Sequence, residues 1–402
     1  MNQRCTITAS AEELMATSRQ ITGVDVVDTE ISEALHVLME SCNHDAELTE
    51  TSAEELEHYF LTLLCNRLRM QRDFANYPEI HEQVVKAPLI IVGMARTGST
   101  KAHRLLASSG DFNYLPFWQA HSPASHTGER NEDTTVRVAE ANRYVDWVNN
   151  SSPEVKTIHE FDAHEADEEV FLLAHLIKAP YLIGLPEFTA FLDWLGAGNG
   201  CSVQQQMKFL RDALKYLQWQ GLADPNKRWV LKTAVYFGLE PEIKTVFPDA
   251  SLVMTHRLPK ESVASMCSMM TAMQNPVSSR PLDSEVALSC LAVATNIDRH
   301  IANRTTGTVK VADIWFQDLI ANTKRVIREV YEAVNEPLSD VSLQRMLDWN
   351  TGNPQHAKGA HKYTLDDFGL TEVDVERDFA NYIQLVHELF DLSDSQISLN
   401  EH

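Results

Sequence analysis

The sequence predicts an α/β fold, a parallel sheet flanked by helices, with an N-terminal helical region. Three short apolar runs carry that expectation: Pro88–Val92, Trp229–Leu231 and Ser251–Thr255. Continuous apolar runs of this length read as strands buried on both faces, as in parallel sheets. Helical stretches fall between the runs, and strands alternating with helices at this spacing imply parallel pairing.

Residues 1–85 read as helical throughout and are expected to form a packing layer or lid. Residues 86–402 are expected to form the α/β domain. Ser10 and Glu13 have the spacing of a capping box, in which each side chain binds the other residue's backbone N–H. Ser52 and Glu55 repeat that spacing ahead of Leu56, Tyr59, Leu63 and Leu64 on one helical face. After Val92 comes Gly93-Met94-Ala95-Arg96-Thr97-Gly98-Ser99-Thr100, and Ala102, Leu105 and Leu106 then resume helical spacing. This is strand, glycine loop, helix. Residues 120–165 are polar with weak periodicity, and loops and short helices are expected there. Asp167-Glu168-Glu169 leads into an apolar helix, Val170–Leu176. An amphipathic helix over residues 203–220 is closed by Gly221, which tolerates the left-handed conformation of a helix end. The second strand ends in Lys232-Thr233, and a helix runs on to Phe247-Pro248. The third ends in His256-Arg257, and Pro259 suits the first position of the next helix, where its missing N–H is not needed. Val309–Val311 is a further strand candidate, and the tail from residue 320 reads as helices around one loop, Asn353–Tyr363.

A chain of 402 residues can bury a full core without disulfide or metal staples. Its 57 acids and 34 basic residues leave a formal net charge of −23. Nucleic-acid binding needs a basic face, so it is excluded as the main task. A small anion is still admitted wherever a few basic residues converge. The six cysteines are scattered without a C-x-x-C pair, which suits a reducing compartment and not a zinc ribbon or disulfide framework. The first residues run into acidic helical sequence, so no signal peptide is expected. No apolar run approaches the ~20 residues that span a bilayer. The expectation is a cytoplasmic protein with no nucleic-acid partner and no membrane span. Oligomeric state is not legible.

A strand, a glycine loop and a helix N-terminus form an anion cradle, because loop N–H groups point inward and the helix dipole favours negative charge. The spacing Gly93-x4-Gly98 matches the first half of a Walker A loop. The second half differs: Ser99 and Thr100 stand where that loop has Lys and Ser/Thr, and the basic residue is Arg96, inside the loop. Lys101 falls just beyond, positioned to point along the helix to solvent. A P-loop-like cradle for an anionic group follows, served by an arginine and hydroxyls without a metal. A turn that merely connects strand to helix has no need of Arg96, Thr97, Ser99 and Thr100 packed around Gly98.

Ile91 through Thr100, continued by His103-Arg104-Leu105-Leu106, resembles the 5′-phosphosulfate loop of the sulfotransferases that use 3′-phosphoadenosine 5′-phosphosulfate (PAPS). The bacterial branch with the loop G-x-P-R-T-G-T-T followed by H-R-L-L is the nearest pattern. The sequence departs from it at Ala95, usually Pro, and at Lys101, usually apolar. Thr255-His256-Arg257-Leu258-Pro259 through Ser265 resembles the family's 3′-phosphate site, an Arg at a strand end with a Ser eight positions later. Arginine suits that role because it offers a fork of donors to a phosphate. Ser262, Ser265 and Met269 share a helix face. Asn353–Tyr363 resembles the C-terminal nucleotide loop, where Gly359 lets backbone approach a phosphate and Lys358 adds charge. The resemblance covers nearly the whole chain.

The resemblance implies PAPS as donor, 3′,5′-bisphosphoadenosine (PAP) as product, and a small or lipid-like acceptor bearing a hydroxyl or amine. It implies Gly93, Arg96, Thr97, Gly98, Ser99 and Thr100 around the 5′ end, Arg257 and Ser265 at the 3′-phosphate, and Lys358 and Gly359 in the C-terminal loop. Arg96 is also the group expected to meet charge on the leaving bridging oxygen. Lys232 sits at a strand end, where α/β sites form, but relatives read Lys-Ser/Thr-Pro-x-His where this chain has Lys232-Thr233-Ala234-Val235-Tyr236. For the general base, Glu168 matches the second Glu of the family's P-E-E helix start, and burial in a first helical turn would raise its pKa toward neutrality. His159 is the second candidate, as partner or as the base itself, since histidine titrates in the right range. Pocket residues are expected from 110–165, 177–205 and the C-terminal loop. Alternatives are an enzyme of the same fold that couples sulfation to dehydration or olefin formation, a non-catalytic PAP- or nucleotide-binding module, and a P-loop kinase, which the missing lysine after Gly98 disfavours.

Overall fold

The computed structural model describes residues 5–159, 161–182, 188–278, 284–307, 309–354 and 363–392. The chain forms two compact units, one made of Met1–Lys86, Leu115–Lys227 and Met270–Pro281, the other of Ala87–Tyr114, Arg228–Met269 and Leu282–His402. The N-terminal helices share their unit with residues 115–227.

The first unit is helical. Its long helices are Ala11–Thr22, Thr29–Asp45, Glu50–Asn76, Thr135–Ser151 and Val203–Trp219. The Ser10–Glu13 capping box forms as expected, with Glu13 N–H on Ser10 Oγ at 3.1 Å and Ser10 N–H on Glu13 Oε2 at 2.8 Å. The second cap lies three residues ahead of its expected place. Thr49, not Ser52, is the N-cap, and it accepts from Ser52 N–H at 3.1 Å. Ser52 Oγ instead donates to Pro276 O at 2.9 Å. The 17-residue helix Thr135–Ser151 also departs from the short pieces expected there. Its buried apolar residues begin only at Ala141 and continue as Tyr144, Val145, Trp147 and Val148, and the polar residues around them dilute the period.

His121 and His175 are buried in this unit. Burial, with the neighbouring His175 adding to it, drives His121 from its ordinary 6.5 down to about 3. Burial likewise takes His175 to about 4, although its Nδ1 pairs with Leu172 O at 2.9 Å. Both are neutral in the folded chain and protonate once unfolded. The unfolded chain therefore binds more protons below about pH 6.5, so stability is full above that pH and falls as pH drops toward 4 and 3. Each histidine should cost ~2 kcal/mol by pH 5. Melting curves should show a fall of several degrees between pH 7.5 and 5; an unchanged Tm would mean these imidazoles are not buried neutral.

The second unit holds a four-stranded parallel sheet in the order β2-β1-β3-β4, with β1 Leu89–Val92, β2 Val230–Lys232, β3 Ser251–His256 and β4 Val311–Trp315. The three expected strands are all present. The fourth begins at Val311, where the candidate run Val309–Val311 ends. It is an edge strand and mostly half-buried, so its apolar signal is weak. In register, Ile91 faces Lys232 and Val92 faces Met254. The glycine loop, Lys232 and Arg257 therefore all leave the sheet at the C-terminal ends of neighbouring strands, where sheets of this class bind ligands. Among the described residues no helix is long and apolar enough to cross a membrane.

Candidate functional site

The loop is shaped by β1, whose four residues are entirely buried. Gly93 has φ +130°, and a Cβ there would lie 2.9 Å from Thr255 O, so glycine lets β3 main chain come this close. Gly98 has φ +91° and caps the helix Ser99–Ala107; a Cβ there would reach Phe316 Cδ2 at 2.6 Å. Between them Arg96 takes φ +69°. A non-glycine residue in that region costs about 1–3 kcal/mol, and such strain gathers at ligand sites.

Thr97 is buried, and its hydroxyl is spent inside the protein. Its Oγ1 donates to Met94 O at 2.7 Å and pairs with Thr255 Oγ1 at 2.7 Å. It ties the loop to β3, and its backbone N–H is what it can offer an anion. Ser99, buried, and Thr100, half-buried, open the helix whose N-terminus points positive charge at the loop. Lys101 does not run out to solvent. It is half-buried with Nζ 5.9 Å from the Trp349 ring centroid, and burial lowers its pKa.

The two motifs meet. Arg96 Nε donates to Ser265 Oγ at 3.0 Å, and its Nη1 lies 3.9 Å from Met269 Sδ. Arg257 Nη1 donates to the backbone oxygen of Arg96 at 3.3 Å, its Nε donates to Glu261 Oε2 at 2.6 Å, and its guanidinium lies 4.6 Å over the Phe316 ring. Ser262 shares the face of Ser265 but returns its hydroxyl to Leu258 O at 3.2 Å, as a helical serine commonly does. Beside Arg257 opens a groove of about 430 Å³ lined also by Lys260, Ala264, Tyr363 and Thr364. Tyr363 ends the C-terminal loop from which pocket residues were expected, whereas Lys260 was passed over; its signal was a second cation in the first turn after the strand end. Lys358 and Gly359 lie outside the described residues.

Lys232 ends β2 and is buried, 2% exposed. Where relatives have Pro and His, a 3-10 turn, Ala234–Tyr236, follows, with Tyr236 wholly buried.

Both base candidates belong to the helical unit. Glu168 is half-buried while its neighbours Asp167 and Glu169 are buried. The helix begins at Val170, so Glu168 lies ahead of its first turn and not in it. Its N–H donates to Asp167 Oδ1 at 2.8 Å. His159 Nε2 lies 3.5 Å from the same Asp167 Oδ1, with the Phe161 ring against the imidazole at 4.7 Å. Asp167 is therefore the carboxylate that lies beside His159, a pairing the acidic triplet concealed. Among the described residues no cluster of His, Cys, Asp or Glu could hold a metal.

This geometry can be set beside known proteins. The model of the sulfotransferase family matches residues 88–340, the stretch that carries the loop, Lys232, Arg257 and Ser265. In fold the chain is similar to the sulfotransferase STF9 from Mycobacterium avium, with 24% identity, 96% of this chain and 97% of that chain covered, and a TM-score of 0.78. It is also similar to the sulfotransferase STF1 from Mycobacterium tuberculosis H37Rv, with 25% identity, 94% and 100% covered, and a TM-score of 0.72. None of the curated proteins matches the sequence. With a strand–glycine loop–helix cradle, an arginine and a serine converging on it, and a family model spanning well over half its length, this chain belongs to the sulfotransferase family.

Proposed function

We propose that the chain moves a sulfuryl group from PAPS to a hydroxyl or amine of a small or lipid-like acceptor and releases PAP. One observation supports this above the others: Arg96, Ser265 and Arg257, from motifs 160 positions apart, form one hydrogen-bonded cluster at the strand ends. That cluster suits a ligand with two phosphate groups on one sugar. Gly93, Thr97, Gly98, Ser99 and Thr100 would offer backbone and hydroxyl donors to the 5′ group, and Arg257 and Ser265 would hold the 3′-phosphate. Lys358 would add positive charge, and Gly359 would let backbone approach a phosphate. When bound, PAPS supplies the sulfuryl group itself. The acceptor atom bonds to sulfur as the bond to the bridging oxygen breaks, and charge collects on that oxygen. Arg96, with Lys232 from the neighbouring strand, would stabilise it. The acceptor proton passes to Glu168, or to His159 beside Asp167.

Calorimetric titration with 3′,5′-bisphosphoadenosine, without metal and beside ATP, tests the donor. Tight bisphosphate and weak ATP binding is the expected result; no bisphosphate binding would send the loop back to some other anion. For the base, Glu168→Gln should lower turnover about a hundredfold or more with nucleotide binding unchanged. Unchanged turnover would pass the role to His159.

A further inference from the structure

The sequence reading gave His256 no role of its own, yet the second unit builds a buried polar chain through it. His256 ends β3, immediately before Arg257, and is fully buried. Its Nε2 lies 2.8 Å from Asp313 Oδ1 on β4, and its Nδ1 lies 3.1 Å from the hydroxyl of buried Tyr382, in the helix Ala380–Phe390. Asp313 also receives both Nη groups of Arg304, each at 2.8 Å. The Tyr382 ring stacks on the imidazole at 5.8 Å, and Phe390 meets it edge-on at 5.4 Å.

The proton positions follow. Burial raises the Asp313 carboxyl, but its bonds to His256 and Arg304 outweigh that and hold it below its ordinary value, so it only accepts. Nε2 of His256 must then carry the proton. Burial keeps the imidazole neutral, which leaves Nδ1 bare to accept from the Tyr382 O–H. Tyr382 thus holds His256 at one ring nitrogen and Asp313 holds it at the other, and a single peptide bond joins His256 to Arg257. Donation runs from Tyr382 through His256 to Asp313, which Arg304 meets from the other side, and His256 stands immediately before Arg257.

We propose that His256, held between Tyr382 and Asp313, is the positioning residue for Arg257, fixing the peptide from which its guanidinium fork is aimed at a nucleotide phosphate. The inference rests on the reading of Arg257 as the 3′-phosphate group. The arginine side chain is itself held by Glu261 and Phe316, at the half-exposed groove. A long side chain aimed from a loose peptide loses the angular precision that a phosphate fork needs.

Tyr382→Phe removes one oxygen and keeps the ring. The full chain and this variant are titrated with 3′,5′-bisphosphoadenosine and with ADP, and amide exchange is followed across residues 255–262. The variant should bind the bisphosphate about tenfold more weakly with ADP affinity and Tm near parental, and the Arg257 amide should exchange about tenfold faster. Equal loss for both nucleotides, or unchanged bisphosphate affinity, would overturn the proposal. If the parent itself does not prefer the bisphosphate over ADP, the phosphate reading of Arg257 has failed, and the positioning claim is decided by the exchange rate alone: unchanged exchange refutes it. Should Tyr382→Phe not fold, His256→Asn keeps an acceptor toward Tyr382 while losing Asp313. It should show the same selective loss, about threefold, and a non-selective loss would count against the proposal.

Discussion

Arg257→Ala should weaken binding of 3′,5′-bisphosphoadenosine by about 3 kcal/mol, roughly a hundredfold, while ADP binding stays near parental. A guanidinium facing a phosphate makes charge-assisted hydrogen bonds worth ~1.5–3 kcal/mol each, and alanine removes the whole fork. The substitution also strips Glu261 of the partner it holds at 2.6 Å, leaving a carboxylate beside the phosphate position. Repulsion then adds to the lost attraction. Only about one-fifth of the side chain is exposed, so Tm is measured beside affinity, and a Tm near parental separates a binding defect from an unfolded chain. Arg257→Lys should fall between, because it keeps the charge and loses the fork. Titration calorimetry reads all three proteins. Parental affinity in Arg257→Ala would remove this residue from the site.

Arg96→Ala should act on turnover instead. A preorganised donor facing charge that develops only in the transition state is worth about 10²–10³ in kcat, with nucleotide affinity changed much less. The local structure sharpens this expectation. Arg96 occupies φ +69°, and Ala meets the same steric resistance there, so the backbone strain is nearly common to both proteins. What disappears is the guanidinium, now on Ser265 and Met269, while the Arg96 carbonyl that receives Arg257 remains. Transfer of labelled sulfuryl from PAPS to a panel of phenols, alcohols and amines, at saturating nucleotide, measures it. A variant that lost affinity as much as turnover would make Arg96 a binding group and not a transition-state group.

Much of the site was legible because it is local. The strand Leu89–Val92, the loop Gly93–Gly98 and the helix from Ser99 follow one another directly, so apolar run, glycine spacing and returning helical period identify them without any tertiary contact. Arg257 and Ser265 likewise lie on one strand end and the helix that follows. Local reasoning failed where a competing residue stood close by. Thr49 took the cap that Ser52 was expected to form, because Ser52 found a buried carbonyl at Pro276. Lys101 turned onto Trp349, and no period in the sequence relates those two positions. The helix Thr135–Ser151 was diluted to apparent irregularity by its polar face.

The sequence by itself determined the parallel α/β class and the strand, glycine loop and helix that run from Leu89 past Ser99, since backbone period and turn chemistry are carried by neighbours in the chain. Only the tertiary structure decided what those residues do with their side chains. That Thr97 spends its hydroxyl on Thr255, that Arg96 reaches Ser265, that Asp167 lies beside His159, and that His256 is held between Asp313 and Tyr382 all join distant or differently facing positions. In the sheet unit such meetings follow from the strand order β2-β1-β3-β4, which seats β3 between β1 and β4. Strand order arises from packing the whole core at once, and no local pattern encodes it.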